Sequence, residues 1–434
     1  MGLLQNKKHK REIRGLVSTN YYTGVILLLY VFMMPFVSAF AFTSIFSIPL
    51  LAATILFLIM GFQIIGSGKL PNGFIGLDSV IIFLFFFIVS FSFVINGLSN
   101  SKAFNHTIAF LSTFLVFYVA IKFTLFKIEN KNLVFKYVLQ FITYTTILSA
   151  LFANIEFIAG NFLGFNINNY IPRPAAERDY SPIVIGLFMR ARGFATESGH
   201  FTFMMEMFSP LAIYYLFFSG FCKWYSFQKI LIVVLIVFSL LFAASSASFI
   251  IIPAAILLAA VIYIKEIFLY LKSNLRGFTI VSGISVFLVI IFNYFLSINT
   301  FILLSLSDKL DSGSFDDRQE RINFFFNKFT NLDLVKKLIG VGPAGFDVLG
   351  FDDSKNILSL YYSITFELGL IGLLLIVLLI LYFLVNAIRI RTKIGFFLTV
   401  SVISGIIHYY FIANFWYPWF WFVGVFAIFC NKKS

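Results

Sequence analysis

The chain has 434 residues, of which 60% are hydrophobic, 20% aromatic and only 12% charged, with a formal net charge of +13. Soluble domains carry about a quarter charged residues, so this composition excludes one and describes a polytopic membrane protein. The cations lie in short segments between apolar runs and not in one basic patch, which excludes nucleic acid as the partner of the positive charge.

A helix crossing the hydrocarbon core needs roughly 17 to 25 apolar residues, and about twelve stretches qualify. In chain order they run from Gly24 to Phe42, Ser44 to Ile65, Leu77 to Ile95, Ala103 to Phe123, Leu133 to Phe157 and Gly199 to Phe221. They continue with Ile230 to Ala244, Ser248 to Ile264, Phe278 to Ile298, Ile357 to Ala387, Gly395 to Ala413 and Phe415 to Cys430. The expected fold class is all-α, a polytopic transmembrane helix bundle forming one integral membrane domain over residues 1–434. Two long polar stretches, 158–198 and 299–356, interrupt it. The basic start, the apolar run and Ala39-Phe40-Ala41 outline a cleaved signal, but the run is long enough to span and another follows at once, so retention is expected.

With the N-terminus inside, the short cytoplasmic segments hold Lys7, Lys8, Lys10, Arg11, Arg14, Lys69, Lys122, Lys127, Lys131, Lys136, Lys223, Lys229, Lys265, Lys272, Arg276, Arg389, Arg391, Lys393, Lys432 and Lys433. The short outer loops hold Lys102. This asymmetry predicts both termini in the cytoplasm and both long loops outside. Cys222 and Cys430 then fall near the cytoplasmic face, where thiols stay reduced, and no disulfide is expected.

Apolar helices in lipid do little polar chemistry, so function is expected in the two long loops. The first ends in Arg190-Ala191-Arg192-Gly193-Phe194-Ala195-Thr196-Glu197-Ser198-Gly199-His200, with Arg173 and Arg178 upstream beside Pro172 and Pro174. A helix starting at Thr196 would put Glu197 and His200 on one face. The helices after the loops begin near Thr196 and Ser354. Their free amides, together with the arginines, make an anion site of the kind that suits a phosphate or diphosphate; as ordinary N-caps, Thr196 and Ser354 would need no ligand.

The second loop predicts a short amphipathic helix capped by Ser314, with Asp316 and Asp317 in its first turn and Phe315, Ile322, Phe326 and Phe329 on its apolar side. Arg318 and Arg321 then share a flank and can converge on one ligand, or touch lipid headgroups if the helix lies on the bilayer. Further on, Gly340, Gly342 and Gly345 mark a structural turn before Lys355 and Asn356. The acidic pairs Asp316-Asp317 and Asp352-Asp353 read as solvated loop acids, not metal ligands. Within the apolar runs, His408 reads as a hydrogen-bonded structural histidine, and Asp78, Glu156, Glu206 and Glu367 mark no obvious midplane site.

Arg192-Gly193 with Glu197 before a span, Ala243-Ala244-Ser245-Ser246 at the end of a later one, then Arg321, Leu338-Ile339-Gly340-Val341-Gly342, Asn356 and Glu367-Leu368-Gly369-Leu370-Ile371-Gly372 together resemble the O-antigen polymerase and ligase superfamily. The resemblance covers Arg192 to Gly372 and implies a GT-C-like glycosyltransferase membrane fold in the bacterial inner membrane, acting at its outer face. It implies undecaprenyl-diphosphate-linked oligosaccharides as donor and acceptor, membrane lipids and a chain-length regulator as partners, and no cofactor or metal. Carried onto this chain, the expected catalytic residues are Arg192, Glu197, His200, Arg318 and Arg321. Arg173, Arg178, Arg190, Lys355 and Asn356 are expected to bind the diphosphate. Ligases of the superfamily usually carry His before the Asn matched to Asn356; Lys355 stands there, which favours the polymerase over a ligase. Ala247 and Ser248 also depart from the Arg that many members have after the Ser pair. A lipid-oligosaccharide flippase is the alternative from another class, and it would need a polar path through the membrane.

Overall fold

A computed structural model describes residues 21–43, 46–96, 100–173, 184–185, 188–273, 314–345 and 358–433. The run Phe278 to Ile298, the N-terminal lysines and the acidic pair Asp352-Asp353 lie outside the described residues. The described chain is helical apart from one antiparallel ladder in which Val184 pairs with Met189 and Ile185 with Phe188.

The helices in chain order are α1 Tyr21–Met33, α2 Ile48–Ser67, α3 Leu77–Asn96, α4 Ser101–Lys127, α5 Lys131–Phe162, α6 Ser198–Phe217 and α7 Ser226–Ala243. They continue as α8 Ser246–Ile262, α9 Ile264–Ser273, α10 Ser314–Thr330, α11 Leu334–Ile339, α12 Leu360–Arg389, α13 Lys393–His408 and α14 Pro418–Lys433. Among the described residues six of these, α2, α3, α4, α5, α7 and α12, are long and apolar enough to cross a membrane. The first helix ends at Met33, two residues before Pro35, which has no N–H to give the Val31 carbonyl. The carbonyls near this break find partners in side chains: Met34 accepts from the Trp419 indole at 2.9 Å and Val31 from the Thr145 hydroxyl at 3.1 Å.

The last helix, α14, is apolar on every side and fills the centre of the bundle, with Trp419 and Trp421 wholly buried. Without a hydrophobic driving force between helices in lipid, close packing has to hold them, and small residues permit it. Gly405 admits the Phe420 ring and Gly424 admits that of Phe383, where a Cβ would overlap either ring. In the middle of α4 the stretch Thr113–Ala120 is a π-helix.

The two ends of the bundle differ. At one, Lys432 donates to the Gly73 carbonyl, Lys433 lies 3.8 Å from the Phe135 ring centre, Lys393 stacks on Phe218 and Arg391 pairs with Glu266 at 3.5 Å. At the other end sit Arg173, Arg190, Arg192 and the second arginine-bearing segment.

Candidate functional site

Glu156, on the last turns of α5, organises the first cluster. An isolated carboxylate in an apolar helix must find donors, and this one takes the backbone N–H groups of Arg192 at 2.9 Å and Gly193 at 2.7 Å on a single oxygen. Its other oxygen accepts from the Asn168 amide at 2.7 Å. The turn at Gly193 has φ +57°, and a Cβ there would press into the Phe201 ring, so glycine is required on two counts.

The expected site residues sort by what their donors already hold. Arg173 gives hydrogen bonds to the carbonyls of Ala195 and Gly193 and to Asn168 Oδ1, which ties the start of the first loop to its end. Burial, with help from neighbouring Arg192, brings its pKa down to about 10. Arg190 donates from Nε to the Ala243 carbonyl at 3.0 Å while Ala191 N–H reaches Phe242 O at 3.0 Å, so the pair caps the C-terminus of α7. Its pKa is likewise lowered to about 10 by burial, against the opposing pull of the Glu197 carboxylate. Arg192 donates to Asn168 Oδ1 and to the Thr196 carbonyl, both at 3.3 Å, with its Nε 4.0 Å from Glu156 and its side chain 14% exposed.

The helix α6 begins at Ser198, not Thr196, with Glu197 as its N-cap in extended geometry. Glu197 and His200 therefore do not share a face: the first is exposed, while the second is buried. His200 Nδ1 lies 2.6 Å from Thr196 Oγ1 and 3.0 Å from Tyr417 Oη, which themselves are 3.2 Å apart. A carboxylate at the helix N-terminus also meets part of the positive dipole there. The arginines, more than the helix end, are thus the anion-attracting element of this loop.

The second segment forms α10 from Ser314, as its spacing predicts, but its buried ring is Phe325, packed on Tyr362 and Phe366, while Phe326 is exposed. Arg321 sits one turn before Phe325 on the same face. Arg318 lies on the same helix, its side chain outside the described residues, as are Arg178, Lys355, Asn356 and Ser354. The helix after this loop, α12, starts at Leu360 with Ser359 as N-cap.

Gly340 and Gly342 act through α12. That helix breaks at Gly369, where φ is +71° and ψ −173°, freeing carbonyls one turn earlier. Val341 N–H donates to Phe366 O and Gly342 N–H to Glu367 O, each at 3.0 Å, and Ser92 Oγ adds a bond to Glu367 O. A Cβ at Gly340 would overlap the Glu367 carbonyl, and one at Gly369 the Leu338 carbonyl. The Gly-Val-Gly and Glu-Leu-Gly segments are thus two halves of one backbone junction. Gly345 closes the turn by donating to Gly342 O at 2.9 Å.

Next to this junction stands His106, from the first turns of α4. Its Nδ1 is 3.0 Å from Glu367 Oε2 and 3.0 Å from the Ala344 N–H. Its ring meets Phe415 and Trp416. The turn 415–417 therefore touches the first arginine-bearing segment through Tyr417 and is linked to the second indirectly, through His106 on α4, which accepts from Ala344 N–H. Glu156, Asn168, His106 and Tyr417 were not among the expected site residues.

Deeper in the bundle, Glu206 and His408 form a buried pair at 2.7 Å, and on the first turn of α3 Asp78 accepts from Tyr118 and Lys122. His408 is thus hydrogen-bonded, joining α6 to α13. No group of three or more His, Cys, Asp and Glu suited to a metal ion occurs among the described residues. No family model matches the chain, and no curated protein matches it.

Proposed function

We propose that this protein polymerises a surface polysaccharide, joining oligosaccharide units carried on undecaprenyl diphosphate at the outer face of a bacterial inner membrane. On this reading it is an O-antigen polymerase-type glycosyltransferase with about twelve spans and a GT-C-like architecture. The observation that supports the reading most is that the turn 415–417 contacts the first arginine-bearing segment through Tyr417 and, through His106, is linked to the end of the second at Ala344. Two lipid diphosphates, a donor and an acceptor, need two cationic sites near one reaction centre. The order of motifs from Arg192 to Gly372 supports the same reading.

The chemistry is displacement at an anomeric carbon by a sugar hydroxyl, with the lipid diphosphate leaving. Negative charge grows on the diphosphate as its bond breaks, so guanidinium groups fixed beside it stabilise the transition state more than the ground state. Arg192 and Arg321 take this role, with Arg318 on the same helix as Arg321, and each charge-assisted bond contributes about 1.5–3 kcal/mol. Arg173 and Arg190 hold the first loop in shape. Glu197, exposed beside Arg190, orients the acceptor.

Purified protein supplied only with lipid-linked single repeat units, without nucleotide sugar, is expected to yield a ladder of longer lipid-linked chains. Units that stay unchanged until a separate acceptor is added would make it a ligase. Units carried across a bilayer without lengthening would make it a flippase. For the topology, single cysteines at Asn166 and Ser226 in a background lacking Cys222 and Cys430 discriminate: an impermeant thiol reagent on spheroplasts should label the first and spare the second. The opposite labelling would invert the topology.

A further inference from the structure

We infer that Asn168 is a positioning residue: its side-chain amide, oriented by Glu156, holds the Arg192 guanidinium ready for the diphosphate. This deepens, and rests on, the cationic site of the reading above. Asn168 sits in the short 3-10 turn Ile167–Tyr170, whose N-cap Asn166 accepts the Asn168 backbone N–H at 3.0 Å. One end of its amide meets an acceptor and the other meets donors. Nδ2 donates to Glu156 Oε1 at 2.7 Å, while Oδ1 accepts from Arg173 Nη2 at 3.0 Å and from Arg192 Nε at 3.3 Å.

The oxygen and nitrogen of an amide are told apart by their partners, and here every partner asks for the same orientation. Turned over, the amide would set its oxygen against a carboxylate and its NH2 against two guanidinium groups. Glu156 is itself committed, because its Oε2 accepts the backbone N–H groups of Arg192 and Gly193. Hydrogen-bond direction therefore runs one way, from the arginines through the amide to the carboxylate.

The backbone that carries Arg192 is fixed separately. Asn161, further along α5, accepts from Met189 N–H at 2.7 Å and donates to Met189 O at 2.9 Å, and Ala191 N–H reaches Phe242 O at 3.0 Å. The freedom that remains is in the long Arg192 side chain, a type with among the largest rotamer entropies. The Asn168 oxygen on Nε and the Thr196 carbonyl on Nη1 order that side chain before an anion arrives, and preordered charge is what electrostatic stabilisation of a transition state requires. Sharing one oxygen also keeps the like charges of Arg173 and Arg192 side by side, a repulsion that a diphosphate relieves. Asn168 acts on the ligand through Arg192.

The test uses the full-length protein with two readouts, binding of inorganic diphosphate and elongation of lipid-linked repeat units. Asn168→Leu keeps the size and removes the amide, so affinity and rate should each fall by about tenfold to a hundredfold with the melting temperature little changed. Glu156→Gln keeps an acceptor for the two backbone N–H groups but sets its NH2 against that of Asn168, so both readouts should fall here too. Adding Asn168→Asp to Glu156→Gln restores an acceptor for that NH2 and for both arginines and conserves the net charge, so the double variant should return to within a few-fold of wild type. A residue that merely filled space would show no such recovery. A double variant as weak as Glu156→Gln alone, or a folded Asn168→Leu protein that matches wild type, overturns the inference. Should Asn168→Leu fail to fold, the double variant decides. Wild-type protein that binds diphosphate but forms no ladder overturns the polymerase reading alone, and the binding readout still judges Asn168. Wild-type protein that does neither overturns both.

Discussion

Two polar clusters occupy opposite ends of the bundle and are made of similar groups put to different uses. At one end Asp78, 0% exposed, accepts from Tyr118 and from Lys122, which is 1% exposed, and all three belong to helices. At the other, Glu156 holds the backbone of the Arg192-Gly193 turn, and Arg192 reaches the surface from a loop. The sealed cluster spends its charges on joining α3 to α4. The open cluster uses a buried carboxylate to shape backbone and so presents a guanidinium outward. Charge in a membrane protein marks function when its partner is a loop that meets solvent, and marks helix registry when every partner is helical.

The largest expected effect separates the two. Asp78→Ala leaves a buried ammonium uncompensated and should cost about 3–5 kcal/mol, seen as a large fall in thermal stability in detergent. If the variant melts like wild type, the cluster does not hold the bundle. Next comes the backbone junction that carries the second segment: Gly369→Ala combines a left-handed φ with overlap on the Leu338 carbonyl, for about 2–4 kcal/mol. Gly61→Ala, in open space, serves as the reference substitution.

Smaller still is Arg173→Gln, which removes ties between the two ends of the first loop and should cost about 1–3 kcal/mol. Limited proteolysis between residues 163 and 197 should accelerate while the bundle's melting temperature changes little. Glu206→Gln keeps a hydrogen bond to His408 and should cost no more than about 1 kcal/mol. A severe loss there would make this pair a second sealed, charged cluster of the Asp78 kind.

Much of the helical framework is legible from apolar runs, because a span must be both long and apolar. What those runs conceal is where a helix stops. Pro35 ends the first one early, and the π stretch in α4 leaves no mark on hydropathy. In α10 the period alone does not distinguish Phe325 from Phe326; the ring that buries is decided by Tyr362 and Phe366, far along the chain. The same limit applies to the site. Arg192 and Arg321 stand out as cations beside spans, whereas Glu156, His106 and Tyr417 lie in or next to apolar stretches and acquire meaning only from distant partners. Glu156 and Glu367 did carry a signal, a carboxylate where none is tolerated without donors, although it names no partner.

The central claim is that the open cluster does the chemistry and the sealed cluster holds the fold. Arg192→Lys keeps the charge and loses the planar fork that grips a diphosphate bidentately, so it measures this most directly when rate and melting temperature are read on the same preparation. The account predicts at least a tenfold loss of chain elongation, on the order of one charge-assisted hydrogen bond, with the melting temperature unchanged. Elongation at the wild-type rate, or a loss that merely follows a fallen melting temperature, would contradict it.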